Sequence, residues 1–316
     1  MSNRTPPFLT PCPAELGHQP AHTWIRRQLL GHAVRLARGS YVLASDWESL
    51  PPWARQRLVV EAWHRLDPSS VVGAASSLAL QGLPVLLEPG AVHLIQEGPE
   101  ARHSKHRVVQ GGRTIASYRV LRHRRPWAER TPVELGHWRV EEACEAAVFV
   151  ASCPRTDLGA AVVAIDGAWK HAGGGDATRA RLGELGEAFP QASARRRIAA
   201  ALDLASPLAE SAAESLARVA MSELGFAAPV EQLTIVLEGQ EIRPDFTWPG
   251  LKLVLEVDGA VKYAGADEVA VRRQEKARQA MLVRAGYRVV RAEWLDVTRP
   301  ERLRAILATL GVPAAA

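Results

Sequence analysis

Apolar and polar positions change period several times along the chain, and the changes divide it into three blocks. In the first, residues 8–46, residues 10–17 and 22–30 have the spacing of short helices. Residues 33–42 (AVRLARGSYV) then alternate in period two around Gly39, as a hairpin does. In the second, residues 50–174, the pattern predicts a helix over 51–65 with Trp53, Leu58, Ala62 and Leu66 on its apolar face, a second helix over 69–82 and a strand over 92–95. Residues 102–130 alternate in part like a hairpin, and two Ala-rich helices over 140–151 and 157–171 end at Gly173–Gly175. The third begins with a helical connector over 178–204. A helix then runs to Gly225, followed by strands near 230–237, 241–248 and 251–258, a charged helix over 267–285, a strand over 287–291 and a last helix over 300–310.

That final α-β-β-β-α-β order predicts a mixed sheet flanked by helices. Two helices and a basic hairpin at the front have the outline of a winged helix-turn-helix. Arg26 and Arg27 fall on its groove-facing helix, and Arg35 and Arg38 on the wing. The expected class is α+β. The expected domains are a winged helix-turn-helix over 1–48, a helical and β middle domain over 49–175, a helical connector over 176–205 and a C-terminal mixed-sheet domain over 206–316.

Charge sharpens the picture. Residues 1–205 hold 25 Lys and Arg against 19 Asp and Glu, whereas residues 206–316 hold 14 against 15. The basic excess is concentrated in residues 102–130, where nine Lys and Arg face one acid, Glu129. Such a strand pair suits phosphate tracking by Arg122, Arg124 and Arg125, and equally suits a solvated edge hairpin that charge keeps from aggregating. DNA is the expected partner. Cys12, Cys144 and Cys153 show no CxxC spacing, which argues against structural zinc or a disulfide framework and for a reducing compartment. The N-terminus lacks the apolar core of a signal peptide, and polar residues interrupt the most apolar window, 71–87. The expected location is the cytoplasm, with no membrane association.

The densest chemistry lies in RPDFTWPGLKLVLEVD, residues 243–258. Asp245 and Glu256 each end an apolar run that reads as a strand, and Asp258 shares the face of Glu256 because strand side chains repeat every two residues. Glu214, on the preceding helix, can complete the group. Phosphodiester hydrolysis uses hard oxygen ligands around Mg²⁺ (Mn²⁺ as substitute) to polarise the phosphate and lower the pKa of an attacking water. Strand-borne carboxylates supply such ligands rigidly. A lysine is wanted nearby; Lys262 is the nearest and Lys276 the second. Asp258 sits before Gly259, so it serves equally well as a turn residue. Arg272, Arg273, Lys276 and Arg278 form either a solvated helix face or a grip on a nucleic-acid strand.

These words, with Glu214 in SAAESLARV, Pro244-Asp245-Phe246, Glu256-Val257-Asp258-Gly259, Lys262-Tyr263 and the tail GYRVVRAEWLD, resemble the PD-(D/E)xK nuclease superfamily. More narrowly they resemble its very-short-patch-repair-like, DUF559-type endonucleases, over residues 206–300. The resemblance implies a restriction-endonuclease-like fold, a metal-dependent endodeoxyribonuclease, and catalytic roles for Asp245, Glu256, Lys262 and Glu214, with Asp245, Glu256 and Asp258 on the metal. One departure stands out: Asp258 occupies the position where the superfamily has its lysine. VRLARGSYVLA, SSLALQGLPVL with the following VHL, and the helices ending in DGAWKHAG resemble the AbiEi-type antitoxin arrangement over residues 10–174. That implies a DNA-binding winged helix and leaves room for a cognate toxin or antitoxin partner and for a homodimer. The alternative is a DNA-binding regulator or antitoxin whose nuclease-like domain is a non-catalytic scaffold.

Overall fold

The structure is a computed structural model that describes residues 21–86, 90–95, 102–124, 132–258 and 268–315. The described residues form a mixed α+β protein in two compact units, one ending at residue 149 and the other beginning at residue 150, with residues 84–86 belonging to the second. Among them no helix is long and apolar enough to cross a membrane.

The first unit contains α1 (Ala21–Leu29), β1 (Ala33–Ala37), β2 (Ser40–Leu43), α2 (Ala44–Ser49), α3 (Pro52–Leu66), β3 (Val71–Val72), α4 (Ala74–Leu80), β4 (Ala91–Ile95), β5 (Arg102–Gln110), β6 (Arg113–His123), β7 (Val133–Leu135) and β8 (Trp138–Val140). Its strands make one eight-stranded sheet in the order β2-β1-β5-β6-β4-β3-β8-β7. The β1–β2 hairpin pairs with β5, Val34 opposite Gln110 and Arg35 opposite Val109, so the segment expected to form a wing is an edge of this sheet. The helix expected over 10–17 lies outside the described residues.

Two predicted helices differ in the structure. Residues 69–82 do not form one helix, because the β-branched pair Val71–Val72 joins the sheet beside β4 and β8 and Gly73 caps a shorter α4. The buried side of α3 centres on Val59 and Val60 rather than on Leu58 and Leu66, because Val59, Val60 and Ala62 meet Val34, Leu36, Val92 and Val120 from the sheet.

After α5 (Ala143–Ser152), the second unit runs through α6 (Leu158–His171), α7 (Asp176–Glu187), α8 (Ala192–Leu204), α9 (Ala212–Glu223), β9 (Val230–Glu231), β10 (Ile235–Leu237), β11 (Gln240–Ile242), β12 (Phe246–Trp248), β13 (Leu253–Asp258), α10 (Glu268–Arg284), β14 (Arg288–Glu293), α11 (Trp294–Val297) and α12 (Pro300–Leu310). The stretch expected as one connector over 178–204 is the α7–α8 hairpin, broken at Pro190, which cannot donate to a helix ladder and disfavours helical backbone before it. Gly186 lets the pair close, since a Cβ there would stand 2.7 Å from Ile198 Cγ2. α6 is buried on nearly every side from Gly159 to Trp169, as an Ala-rich helix without a polar face should be.

A four-stranded sheet, β14-β13-β12-β9, carries the rest of the unit. β12 and β13 are antiparallel, and β13 and β14 are parallel across the α10 crossover. Leu253, Leu255 and Val257 of β13 pack with Phe246, Ala213, Ala217 and Leu307 on one face. Val254 packs with Met281 and Leu282 of α10 on the other. Apolar cover on both faces explains the near-continuous run LVLEV, and truncating Leu255 to alanine would cost about 2–5 kcal/mol. By alternation, Glu256 and Asp258 share the α10 side with Val254.

Candidate metal centre

Four local features bring the acids together. The first is the start of α9. Ser211 is its N-cap, with extended backbone, and its Oγ accepts a hydrogen bond from the Glu214 amide at 3.2 Å. Serine followed three residues later by glutamate signals a capping box, but here the reciprocal arm moves back one residue. The Glu214 carboxylate accepts from the Glu210 amide (2.9 Å) and from Ser211 Oγ (2.8 Å), not from the Ser211 amide. Glu214 is only 5 % exposed, with its charge fixed at the helix start.

The second is Gln232, just after β9. It takes the left-handed conformation at φ +50°, rare for a residue with a Cβ, and its amide donates to the Asp245 carbonyl at 3.0 Å. From there Nε2 donates to Glu214 at 3.0 Å, with a longer contact to Asp245 Oδ1 at 3.4 Å. Backbone strain at this position aims the side chain that bridges Glu214 and Asp245.

The third is Asp245, directly after Pro244 and before β12. Its Oδ2 accepts from the Val257 amide at 2.7 Å, fixing it against the middle of β13. The fourth is β13, where the half-buried Glu256 carboxyl lies near enough to Asp245 for each to shift the other's ionisation. Burial, then the nearby Glu214 charge and then Glu256 push Asp245 up to about 7, against the Val257 and Gln232 hydrogen bonds. Burial also raises Glu256. Arg278 and Arg291 pull the other way, while Asp258 adds to the rise. Neighbouring buried carboxyls resist ionising together unless a cation offsets their charge.

α9 and β9 are tied in place by one arginine. Arg218 reaches Asp166 of α6 with Nη2, Glu231 of β9 with Nη1 at 2.6 Å, and the Leu204 carbonyl with Nε at 2.8 Å. Burial holds the Asp166 carboxyl above its ordinary range despite that partner and the Ser206 amide donor at 2.7 Å. Glu231 precedes Gln232, so this network sets where the bridging amide starts.

Of the residues expected in the site, the structure groups Glu214, Asp245 and Glu256. Asp258 ends β13 and turns to Arg291, Oδ1 to Nη1 at 3.4 Å, on the exposed side. Among the described residues no set of three or more His, Cys, Asp and Glu side chains has the geometry to hold a metal ion outright. Asp245 and Glu256 are the pair that could share one. Lys262 and Arg125 lie outside the described residues, as do the side chains of Arg272 and Arg273 on α10. Lys276 is exposed on α10.

Apart from these α10 residues, the expected DNA-facing residues that the structure describes are in the first unit. Arg26 is exposed on α1, and Arg27 lies over the Trp24 ring at 5.1 Å. Arg35 on β1 and Arg38 in the β1–β2 turn are exposed. Arg122 lies over the Trp63 ring at 5.3 Å, and Arg124 is exposed just beyond β6. Sequence reasoning missed Gln232 and Arg291, and placed Arg278 only on a helix face either solvated or gripping a strand. An amide or guanidinium carries no motif by itself, and only the strand register places Arg291 opposite Glu256.

No protein-family profile matches the chain, and no solved structure matches it. Two uncharacterized proteins of Mycobacterium tuberculosis, from strains CDC 1551 / Oshkosh and ATCC 25618 / H37Rv, are each 36 % identical to it over 135 residues, 41 % of this chain. The chain matches 49 % of each relative's length, about half.

Proposed function

We propose that the chain is a metal-dependent endonuclease, with the second unit hydrolysing DNA phosphodiesters and the first holding the DNA. The observation that supports this is the meeting of Glu214 and Asp245 at Gln232, with Glu256 near Asp245 and Asp245 pushed up to about 7. Such a group is costly without a counter-charge, and hard carboxylate oxygens suit Mg²⁺ or Mn²⁺. A divalent ion, when bound, neutralises phosphate charge and activates water. Asp245 and Glu256 would hold it. Glu214 and Gln232 orient Asp245, and the Val257 amide keeps one of its oxygens pointed away from solvent. Asp245→Ala should abolish Mg²⁺-dependent nicking of supercoiled plasmid while DNA retention on a gel is kept. Equal nicking by both proteins refutes the reading.

One observation favours a second reading, a DNA-binding regulator with a nuclease-like scaffold: Asp258, where a lysine is expected, is paired with Arg291. Metal titration separates the two, since a scaffold shows no Mn²⁺ binding that depends on Asp245 and Glu256. A toxin or antitoxin partner and a homodimer belong with this second reading.

A further inference from the structure

On the α10 side of β13, next to the acid group, lies a small open pocket of about 80 Å³, lined by Glu256, Asp258, Glu275, Arg278, Gln279 and Arg291 among others. One water needs roughly 10–15 Å³ of such space, so the pocket can take a tetrahedral oxyanion. Its lining carries three carboxyls, of Glu256, Asp258 and Glu275, and two guanidiniums, of Arg278 and Arg291. Arg291 stands opposite Glu256 across the β13–β14 pairing, and its Nη1 makes only long contacts, 3.4 Å to Asp258 and 3.5 Å to Glu275. Arg278 projects from α10 half-buried, influences Glu256 through its charge, and closes no ion pair among the described residues. Well-made guanidinium–carboxylate pairs lie at about 2.7–2.9 Å. These two forks are therefore under-used where they stand, close to acids that are themselves short of counter-charge.

We infer that Arg278 and Arg291 form a phosphate-binding subsite beside the acid group, gripping the phosphodiester oxygens of a nucleic acid. Planar forks match phosphate geometry, and a phosphate seated there would share the pocket with Glu256, the neighbour of Asp245 in the acid group. The anion binding stands on the pocket alone. Its catalytic consequence rests on the endonuclease reading, within which these arginines supply the positive charge that Asp258, in place of a lysine, cannot.

The test has two arms. Wild-type protein in EDTA is titrated calorimetrically with inorganic phosphate, beside Arg278→Gln, Arg291→Lys and the control Arg304→Gln, an exposed cation on α12. Removing a charge-assisted contact should weaken phosphate binding about 10- to 100-fold in Arg278→Gln and leave Arg304→Gln unchanged. Arg291→Lys, which keeps the charge and the ion pairs, should lose less. Equal phosphate affinity in wild type and Arg278→Gln overturns the subsite. In the second arm, single-turnover plasmid nicking with Mn²⁺ should fall about 100-fold in Arg278→Gln, while Mn²⁺ affinity by calorimetry stays within about threefold. A loss of rate matched by a loss of Mn²⁺ affinity overturns the catalytic part and makes Arg278 a structural support. If wild type never nicks DNA but Arg278→Gln loses phosphate, the endonuclease reading falls and the subsite stands. If wild type nicks and phosphate binding is insensitive to Arg278, the reverse holds.

Discussion

Replacing Asp245 with asparagine should stabilise the second unit at neutral pH while destroying its function. In the folded chain the Asp245 carboxyl is pushed up to about 7 from an ordinary 3.8. Between those values the folded protein holds a proton that the unfolded chain has released, so stability falls as pH rises through this window. The full gap, at about 1.4 kcal/mol per tenfold, is on the order of 4 kcal/mol above pH 7. Roughly a third of that is already lost at pH 5, so wild type should lose roughly 3 kcal/mol more than Asp245→Asn between pH 5 and pH 8. Asparagine keeps an oxygen for the Val257 amide and offers an NH₂ to Glu256. In EDTA, the Tm of the transition assigned to this unit should diverge between the two proteins by about 6–12 °C over that range. Mg²⁺ at a hundred times its dissociation constant should then return about 2.7 kcal/mol to wild type and nothing to the variant. Parallel Tm curves for the two proteins from pH 5 to pH 8 would refute the electrostatic account of the site.

Three further outcomes follow from the same contacts. Ser211→Ala removes the N-cap of α9 and the hydroxyl that holds Glu214; it should cost about 1 kcal/mol in thermal stability and lower Mn²⁺ affinity. Arg218→Met strands Asp166 and Glu231 in a buried site and should cost about 3–5 kcal/mol, read as a large drop in Tm. Glu214→Gln sets an NH₂ against one of the three donors its carboxylate now accepts. It should cost about 1–3 kcal/mol at pH 5, yet move the Asp245 titration, followed by carboxyl-carbon NMR, toward lower pH because a repelling charge is gone.

Much of the second unit was legible because its signals are local. Pro300 at the first turn and Gly311 just past the end bracket α12, and the apolar run of β13 between Lys252 and Asp258 reads as a doubly covered strand. Asp245, Glu256 and Glu214 were visible because carboxylates at strand ends and at a helix start are expensive and therefore conspicuous. The pairing of the β1–β2 hairpin with β5 was not visible, since hairpin alternation looks the same whether the strand's other edge is free or bonded. The brief β3 was hidden for a related reason: two β-branched residues before a helix carry too little pattern to separate from its first turn. Gln232, Arg278 and Arg291 enter the site through a left-handed turn, a helix face and a parallel register, three relations between segments distant in sequence.

The arrangement makes poor sense as a stability device. Each carboxylate in the group could be replaced by its amide with most hydrogen bonds retained at Asp245, and the folded state would then be free of a charge that desolvation and Glu214 both oppose. The chain also holds Gln232 in an unfavourable backbone region to brace that charge. Selection for folding alone removes such features, since neutral alternatives lie one substitution away. Their presence together, on rigid strand and helix ends and beside two guanidiniums with donors to spare, is expected of a site whose counter-charge arrives with a ligand.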